Sequence, residues 1–376
     1  MKDILNNLEL MNKKKIIFVT LSYAGGGAEK IFTRLLENLH ENFNIISVTF
    51  TSDGIYYDKI KNLPIKKYVL RKKINNTILY ACRLRKIIKK EQPYKVISFL
   101  YYPNIIVFLA SIFLKVNLIL CERSNHRIYF KNTIKHKIWK FLLKQSYKKS
   151  QFVISVSNKI KQFITEDFKI TEKKIKVIYN GINFDQLDKF SSIENKTFFD
   201  DKIINIISVG RITEAKNYPL LINSFALLTK KYSNIHLHIV GDGELKNKIQ
   251  DLIKEKQLED KITLWGFVKN PYPLMKKADC FVLSSKWEGF PNVLLEALYL
   301  NGHIVSTDCD TGPAEIITHE YDGLLSPIDE PVKLAKNIER MIFDKSLREK
   351  VFNNSRFTIK KFDEKNMIEN FKKILE

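Results

Sequence analysis

Short apolar runs rich in Ile, Val and Phe alternate along this chain with longer segments of helical periodicity, and the alternation stops once and starts again. Lys13–Ser22 (KKKIIFVTLS) reads as a buried strand behind a basic flank. Asn44–Phe50, Tyr94–Leu100, Asn117–Cys121, Phe152–Val156 and Ile175–Tyr179 repeat the type. After the first of these, Ile31, Phe32, Leu35, Leu36 and Leu39 recur at the spacing of one helical face. Strands separated by helices can pair only through crossovers, so the pattern predicts an α/β protein with a parallel sheet covered on both faces.

Residues 185–203 are polar, lose this rhythm, and read as an interdomain linker. Beyond them strands are expected at 203–210, 235–240, 261–267, 279–285 and 303–308, with helices over 218–232, 244–258, 271–278, 292–302 and 331–343 and a short helical segment at 313–320. The expected organisation is therefore two Rossmann-like domains, at 1–186 and 187–352. A helical tail at 353–376 is long enough to cross back to the first domain, with Phe362, Met367, Ile368, Phe371, Ile374 and Leu375 roughly on one face. In doubly wound sheets ligands bind outside the carboxyl ends of the strands. Two facing sheets would put those ends around a central cleft.

The uncharged run from Val96 to Leu114 approaches the length of a membrane span, but Pro103 and Asn104 interrupt it. It reads as strand, helix and strand, with the helix following Asn104. Met1–Asn12 lacks the apolar run of a secretory signal, and Cys82, Cys121, Cys280 and Cys309 have neither zinc-ligand nor disulfide-framework spacing, which fits a reducing cytoplasm.

Charge is distributed unequally. Residues 1–190 hold 36 Lys+Arg against 14 Asp+Glu, whereas residues 191–376 hold 27 of each, so the whole surplus of +22 belongs to the first half. Such a surplus attracts nucleic acid, anionic headgroups or phosphorylated ligands. No nucleic-acid recognition motif accompanies it. Lys131–Ser150 sets Ile134, Ile138, Trp139, Phe141, Leu142 and Leu143 among many lysines, the composition of an interfacial helix and equally of a core helix with a solvated basic face. Arg83–Lys90 (RLRKIIKK) forms a second basic patch.

The residues suited to chemistry cluster in the second half. In SSKWEGFPNVLLEA (284–297) a strand ends, a tight loop carries Glu288, Gly289 and Phe290, and a helix runs from Asn292 with Pro291 at a first helical position. The amides of such a first turn, including Asn292 and Val293, and the dipole behind them suit a diphosphate, which Gly289 allows to come close. Glu288 on the loop and Glu296 in the helix are natural acceptors for sugar and ribose hydroxyls. Val209–Asn217 (VGRITEAKN) follows another strand and brings Arg211, a forked phosphate binder, and Lys216, a mobile point charge. In the first half Gly25, Gly26 and Gly27 lie between a strand and a helix start, as an anion cradle or a plain tight turn would.

Glu288 and Glu296 match the E-x7-E motif of the family 4 retaining glycosyltransferases, which have the GT-B fold. The chain resembles that family over nearly its whole length, through Gly25–Gly27 with Ala28–Glu29, Asn180–Gly181–Ile182, Gly210–Arg211 with Lys216, Gly241–Asp242–Gly243–Glu244, and Gly312–Pro313 before Glu315. It looks especially similar to bacterial enzymes that extend polyisoprenoid-linked oligosaccharides, including N-acetylgalactosaminyltransferases of protein N-glycosylation, and to surface-polysaccharide enzymes.

The resemblance implies roles. Arg211 and Lys216 would neutralise the departing diphosphate, Glu288 would hold the donor sugar and Glu296 the ribose, which makes Arg211, Lys216 and Glu288 the catalytic candidates. Gly26, Gly27, Gly210, Gly289, Phe290, Pro291, Asn292 and Val293 would complete the donor site. Many relatives carry Glu–His in the first domain; here the position reads Glu122–Arg123, with His126 three residues on, and these three are acceptor or sugar candidates. Asp308–Cys309–Asp310 reads D-x-D, the metal motif of a different glycosyltransferase fold, and His236 and His238 share one side of a strand without a third ligand nearby, so no metal site and no cofactor are expected.

The expected activity is metal-independent, retaining transfer from a UDP-sugar, with N-acetylhexosamine or hexose as the sugar, to a lipid-linked or surface glycan. The expected place is the cytoplasmic face of an anionic membrane. A GDP-mannose-dependent transferase of the same fold, a basic nucleic-acid-binding protein and an inactive sugar-nucleotide-binding module are the alternatives.

Overall fold

The computed structural model describes residues 13–70, 76–130, 133–193, 199–200 and 202–376. The chain forms two compact units, Met1–Asn180 with Met367–Glu376, and Gly181–Asn366.

The first unit is a seven-stranded parallel sheet made of β1 (Lys15–Thr20), β2 (Asn44–Thr49), β3 (Lys66–Val69), β4 (Lys95–Phe99), β5 (Asn117–Glu122), β6 (Phe152–Ser155) and β7 (Ile175–Val177). Their spatial order is 3-2-1-4-5-6-7. Helices α1 (Gly27–Leu39), α2 (Tyr57–Ile60), α3 (Thr77–Glu91), α4 (Tyr101–Ala110), α5 (Ile134–Lys149) and α6 (Asn158–Phe168) make the crossovers. The second unit opens with α7 (Phe184–Ser191) and has six parallel strands, β8 (Ile204–Val209), β9 (Ile235–Val240), β10 (Ile262–Gly266), β11 (Cys280–Leu283), β12 (Ile304–Thr307) and β13 (Leu324–Ser326). Their order is 10-9-8-11-12-13. Its crossovers are α8 (Tyr218–Thr229), α9 (Lys246–Glu255), α10 (Tyr272–Lys277), α11 (Asn292–Leu300), α12 (Pro313–Ile316) and α13 (Pro331–Phe343), followed by α14 (Lys345–Thr358) and α15 (Glu364–Leu375). Within each unit the order reverses once, between β1 and β4 and between β8 and β11, the place at which doubly wound sheets bind ligands outside the carboxyl ends of their strands.

The expected α/β class and the two Rossmann-like sheets are present. β3 and β13 escaped the sequence reading, β3 because KKYV is short and charged and its burial is only partial. The helix after β4 begins at Tyr101, ahead of Pro103 rather than behind Asn104. Proline is tolerated there because first-turn amides lack intrahelical partners. The expected boundaries 186/187 and 352/353 fall inside α7 and α14. The polar stretch at 185–191 is not linker but the wet side of α7, which buries Leu187, stacks Phe184 on Tyr299 and accepts a 2.7 Å hydrogen bond from the Tyr299 hydroxyl at Asp188. Residues 194–198 of the expected linker, and Lys131 and Asn132 at the start of the expected interfacial helix, lie outside the described residues.

The tail is not one continuous helix. It breaks at Asp363, whose carboxylate accepts from the Lys365 amide and starts α15. The extended link bonds to Ile182 on both sides, Ile182 N–H to Phe362 O at 2.9 Å and Glu364 N–H to Ile182 O at 3.0 Å. A Cβ on Gly181 would press on the Glu364 backbone. Phe362 consequently packs on Phe290 in the second unit, while Met367, Phe371 and Leu375 join the first unit's core, where Phe371 stacks on Phe99 with ring centres 6.3 Å apart. Lys95 Nζ donates to Ile374 O at 2.8 Å and Lys14 Nζ to Glu376 O at 2.6 Å, cations meeting the negative end of the helix. Among the described residues no helix is long and apolar enough to cross a membrane.

Candidate active site

The reversal point of the second sheet collects the chemistry. The loop after β8 (Gly210–Asn217) and the loop after β11 (Ser284–Pro291) leave adjacent strands. They are joined by Lys286 N–H to Ala215 O at 2.8 Å and Ser284 Oγ to Lys216 O at 2.8 Å. Lys216 Nζ then meets Glu288 Oε1 at 2.6 Å, and Ser285 Oγ donates to the same oxygen at 2.7 Å. Both charged side chains are mostly shielded, Lys216 at 17% exposure and Glu288 at 14%, so water screens them less than a surface pair.

Glycines and a proline shape these loops. The Lys216 stem crosses Gly210, where a Cβ would stand 2.9 Å from Lys216 Cε. The turn after β9 supports the same loop from behind: Ile212 N–H donates to Asp242 O at 2.9 Å, and Gly241 takes φ +147° where any Cβ would collide with Gly210 O. Gly312, at φ +96°, lies against Pro291, whose Cδ a Cβ would approach to 2.7 Å. Thr311 Oγ1 donates to Glu288 O, and Thr307 Oγ1 to Ser285 O at 2.7 Å, so the loop after β12 braces the Glu288 loop.

Pro291 is the N-cap of α11 rather than its first helical residue, with an extended backbone (φ −75°, ψ 102°). Proline has no side-chain acceptor, so the helix starts without a side-chain cap and Asn292 and Val293 are its first residues. Phe290 is buried against Phe362 and is a packing residue. Gly289 O lies beside Gly312. Glu296 is buried one turn further along, with the Tyr272 hydroxyl 3.3 Å from Oε1. Arg211 lies exposed on the loop that carries Lys216. Thus Gly210, Arg211, Lys216, Glu288, Gly289, Asn292 and Val293 share one end of one sheet. Sequence reasoning missed the bracing residues Ser285, Thr307 and Thr311 and the Tyr272 contact to Glu296; only the serine pair before Glu288 carried a signal, by position.

In the first unit Gly26 caps α1 with no side-chain hydrogen bond and Gly27 is the first helical residue. The Glu29 carboxylate folds over Gly26 and occupies the place a Cβ would take. Glu122 is fully buried, accepts from the Tyr147 hydroxyl at 2.6 Å, and burial raises its pKa to about 7. Arg123 is also buried, donates from one terminal nitrogen to Asn180 Oδ1, and leaves Nε and the other terminal nitrogen without partners among the described residues. Its pKa is pulled down to about 10 by the same loss of water. His126 is 1% exposed, with Nε2 2.8 Å from Asp167 Oδ2, its pKa lowered to about 4 by burial. Asp167 also accepts from Arg127. His126 is thus held by Asp167 through Nε2, while its buried Nδ1, like Arg123 Nε and one Arg123 terminal nitrogen, has no partner among the described residues.

Of the remaining motifs, Asp308 and Asp310 are exposed. Cys309, between Asp308 and Asp310, is buried with its pKa raised to about 12 by desolvation. His238 Nε2 lies 3.0 Å from Asn205 Oδ1, with the Trp265 indole N–H donating to its Nδ1, and His236 Nε2 lies 2.8 Å from Thr263 Oγ1. Among the described residues no three His, Cys, Asp or Glu side chains stand together as a metal site.

Residues 25–186 match the family model described as Glycosyltransferase Family 4, and residues 189–357 match Glycosyl transferases group 1. An uncharacterised glycosyltransferase of Methanocaldococcus jannaschii is 34% identical over 334 residues, 78% of this chain and 82% of that protein. The N-acetylgalactosamine-N,N'-diacetylbacillosaminyl-diphospho-undecaprenol 4-alpha-N-acetylgalactosaminyltransferase of Campylobacter jejuni is 30% identical over 359 residues, 93% of this chain and 96% of that enzyme. Among solved structures, Anabaena HepE in complex with UDP-glucose superposes with a TM-score of 0.83 at 17% identity, over 96% of this chain and 99% of that one; the likeness is one of fold.

Proposed function

The chain belongs to the family 4 glycosyltransferases of GT-B fold, and from that membership we propose that it transfers an N-acetylhexosamine or hexose from a UDP-sugar to a lipid-linked glycan, with retention of configuration and without a metal. The observation that carries this reading is the Lys216–Glu288 pair at the reversal point of the second sheet, directly ahead of the uncapped start of α11.

Breaking a glycosyl–phosphate bond leaves positive charge on the sugar and negative charge on the diphosphate, through an oxocarbenium-like state. Fixed dipoles and cations facing the leaving group lower the barrier because they need not reorganise. Lys216 is held in place by Glu288 before any donor arrives. On binding, a diphosphate at the α11 start would draw the ammonium away from the carboxylate, freeing Glu288 to accept from a hydroxyl of the donor sugar. Arg211, exposed on the same loop, would fork onto the phosphate oxygens, and buried Glu296 would receive the ribose hydroxyls. Arg123 and the Gly26–Gly27 turn remain the first-unit candidates for donor and acceptor contact. The relative from Campylobacter jejuni is named for a diphospho-undecaprenol substrate, which supports a lipid-linked acceptor here.

The basic excess of the first half supports work at an anionic membrane, on its cytoplasmic face. On α5, Ile134, Ile138 and Phe141 are exposed among lysines, while Leu143 and Tyr147 fill the core, so the helix serves the interior and still presents an apolar and basic outer side. The Arg83–Lys90 patch contributes less, since Arg85 donates to Ala110 O at 3.1 Å and Arg83 to Leu70 O.

UDP- and GDP-sugars assayed with EDTA present, with a polyisoprenyl-diphosphate sugar as acceptor, test the whole reading. Sugar transfer from a UDP-N-acetylhexosamine or UDP-hexose is expected. Transfer from GDP-mannose alone would replace the donor, loss of activity in EDTA would overturn metal independence, and donor binding without transfer or hydrolysis would make the protein a binding module.

A further inference from the structure

Near the reversal point of the first sheet lies a cavity that the donor chemistry does not use. It has a volume of about 240 Å³, and the rings of Tyr101, Tyr102, Tyr129 and Trp139 form its walls with Lys135 and His136. Tyr101 stacks on Tyr129 at 5.0 Å between ring centres, and Tyr102 packs on Trp139 at 5.4 Å. Phe130 closes one side, edge-on to His136.

Backbone strain builds this pocket. Leu100, at the carboxyl end of β4, takes φ +78°, a conformation that strains a side-chain-bearing residue. It bonds back to Cys121 O at 3.1 Å and turns Tyr101 and Tyr102 to follow immediately in α4. Strain kept at a strand's carboxyl end, where doubly wound sheets bind ligands, marks a position shaped for a ligand rather than for packing.

Size and chemistry narrow the ligand. The cavity has room for about eight water molecules, which suits a headgroup and not a whole nucleotide sugar. Aromatic walls with polar edges favour a ligand that is apolar at one end and wet at the other. Lys135 supplies a cation and His136 ring nitrogens at the start of α5, next to exposed Ile134 and one to two turns before exposed Ile138 and Phe141. We infer that this pocket seats the diphosphate end of an isoprenoid lipid, with Lys135 and His136 on the phosphate and the aromatic walls on the first isoprene units. The inference rests on the lipid-linked acceptor reading above and gives that acceptor a place on the first unit.

Calorimetric titration of the full chain, with UDP held saturating so that the donor site is filled, tests it with three probes: farnesyl diphosphate, inorganic diphosphate and farnesol. Farnesyl diphosphate should bind at least about tenfold more tightly than either half alone, and the Lys135→Ala/His136→Ala variant should weaken it at least about tenfold, as expected for lost charge-assisted hydrogen bonds. Lys135 is exposed, so Lys135→Glu is a second variant that folds independently of pocket packing and should weaken binding further. Inorganic diphosphate binding as well as farnesyl diphosphate would make this a free-anion site and overturn the lipid assignment. Farnesol binding as well would leave only a greasy groove, and wild-type affinity in both variants would place the lipid elsewhere. UDP affinity, measured first, reports on the donor reading separately: its absence would sink that reading, and the Lys135 and His136 variants would still show whether farnesyl diphosphate binds at this pocket.

Discussion

Lys216 and Glu296 are small parts of the chain with a large expected effect. If the ammonium faces charge that develops only as the bond breaks, its removal acts on kcat more than on donor affinity. Lys216→Ala and Glu296→Ala should each lower donor turnover at least about 10²-fold, read as initial rates with folding checked by circular dichroism; near-normal rates in both would remove the donor-site assignment. Glu122 gives a prediction about pH. Its pKa is about 7 in the fold and 4.5 ordinarily, so between these values the folded protein keeps a proton that the unfolded chain releases. Stability from this group is full below pH 4.5 and is lost as pH rises through 7. His126, held at about 4 against 6.5, acts oppositely: the unfolded chain takes up a proton first, and stability falls as pH drops from 6.5 to 4. Glu122→Gln should therefore gain stability over wild type at pH 8 relative to pH 5, by up to about 3 kcal/mol in denaturant melts. An equal difference at both pH values would mean that the charge is compensated, with Arg123 as the neighbour able to do it.

At the scale of elements, the loops work because their glycines permit close approach. Gly312 holds φ +96° with Pro291 against it, so an alanine there must strain the backbone and displace the cap of α11. Gly312→Ala should cost roughly 1–3 kcal/mol in unfolding free energy and weaken UDP binding, measured by calorimetry. Unchanged affinity with lowered stability would separate the loop from the donor site. The same scale shows where sequence reading was strong. The helical face of α1 and the buried strands β1, β8 and β11 were legible because apolar side chains in such runs must leave water together, which only a core-facing element allows. Pro291 was misplaced by one position, and the start of α4 by a few, because a proline near a helix start is equally compatible with N-cap, first and third positions. β3 was invisible because a charged edge strand owes its pairing to β2 rather than to its own pattern.

At the scale of the molecule, the last ten residues complete the first unit's core from the far end of the chain. Phe371 is fully buried beside Phe99, so Phe371→Ala should cost about 3–5 kcal/mol in denaturant unfolding, as large as a mutation within the sheet itself. A loss below about 1 kcal/mol would show that the tail packs only loosely. By itself the sequence determined the α/β class, the two doubly wound sheets and which βα loops are rich in glycine, proline and charge, because periodicity and loop composition are local properties. Only the tertiary structure decided that Lys216 and Glu288, 72 residues apart, share one hydrogen bond, that the tail divides at Asp363, and that His126 is locked away by Asp167. Those outcomes depend on which strands become neighbours and which side chains lose water, and pairing and burial are set by the whole fold rather than by any window of the chain.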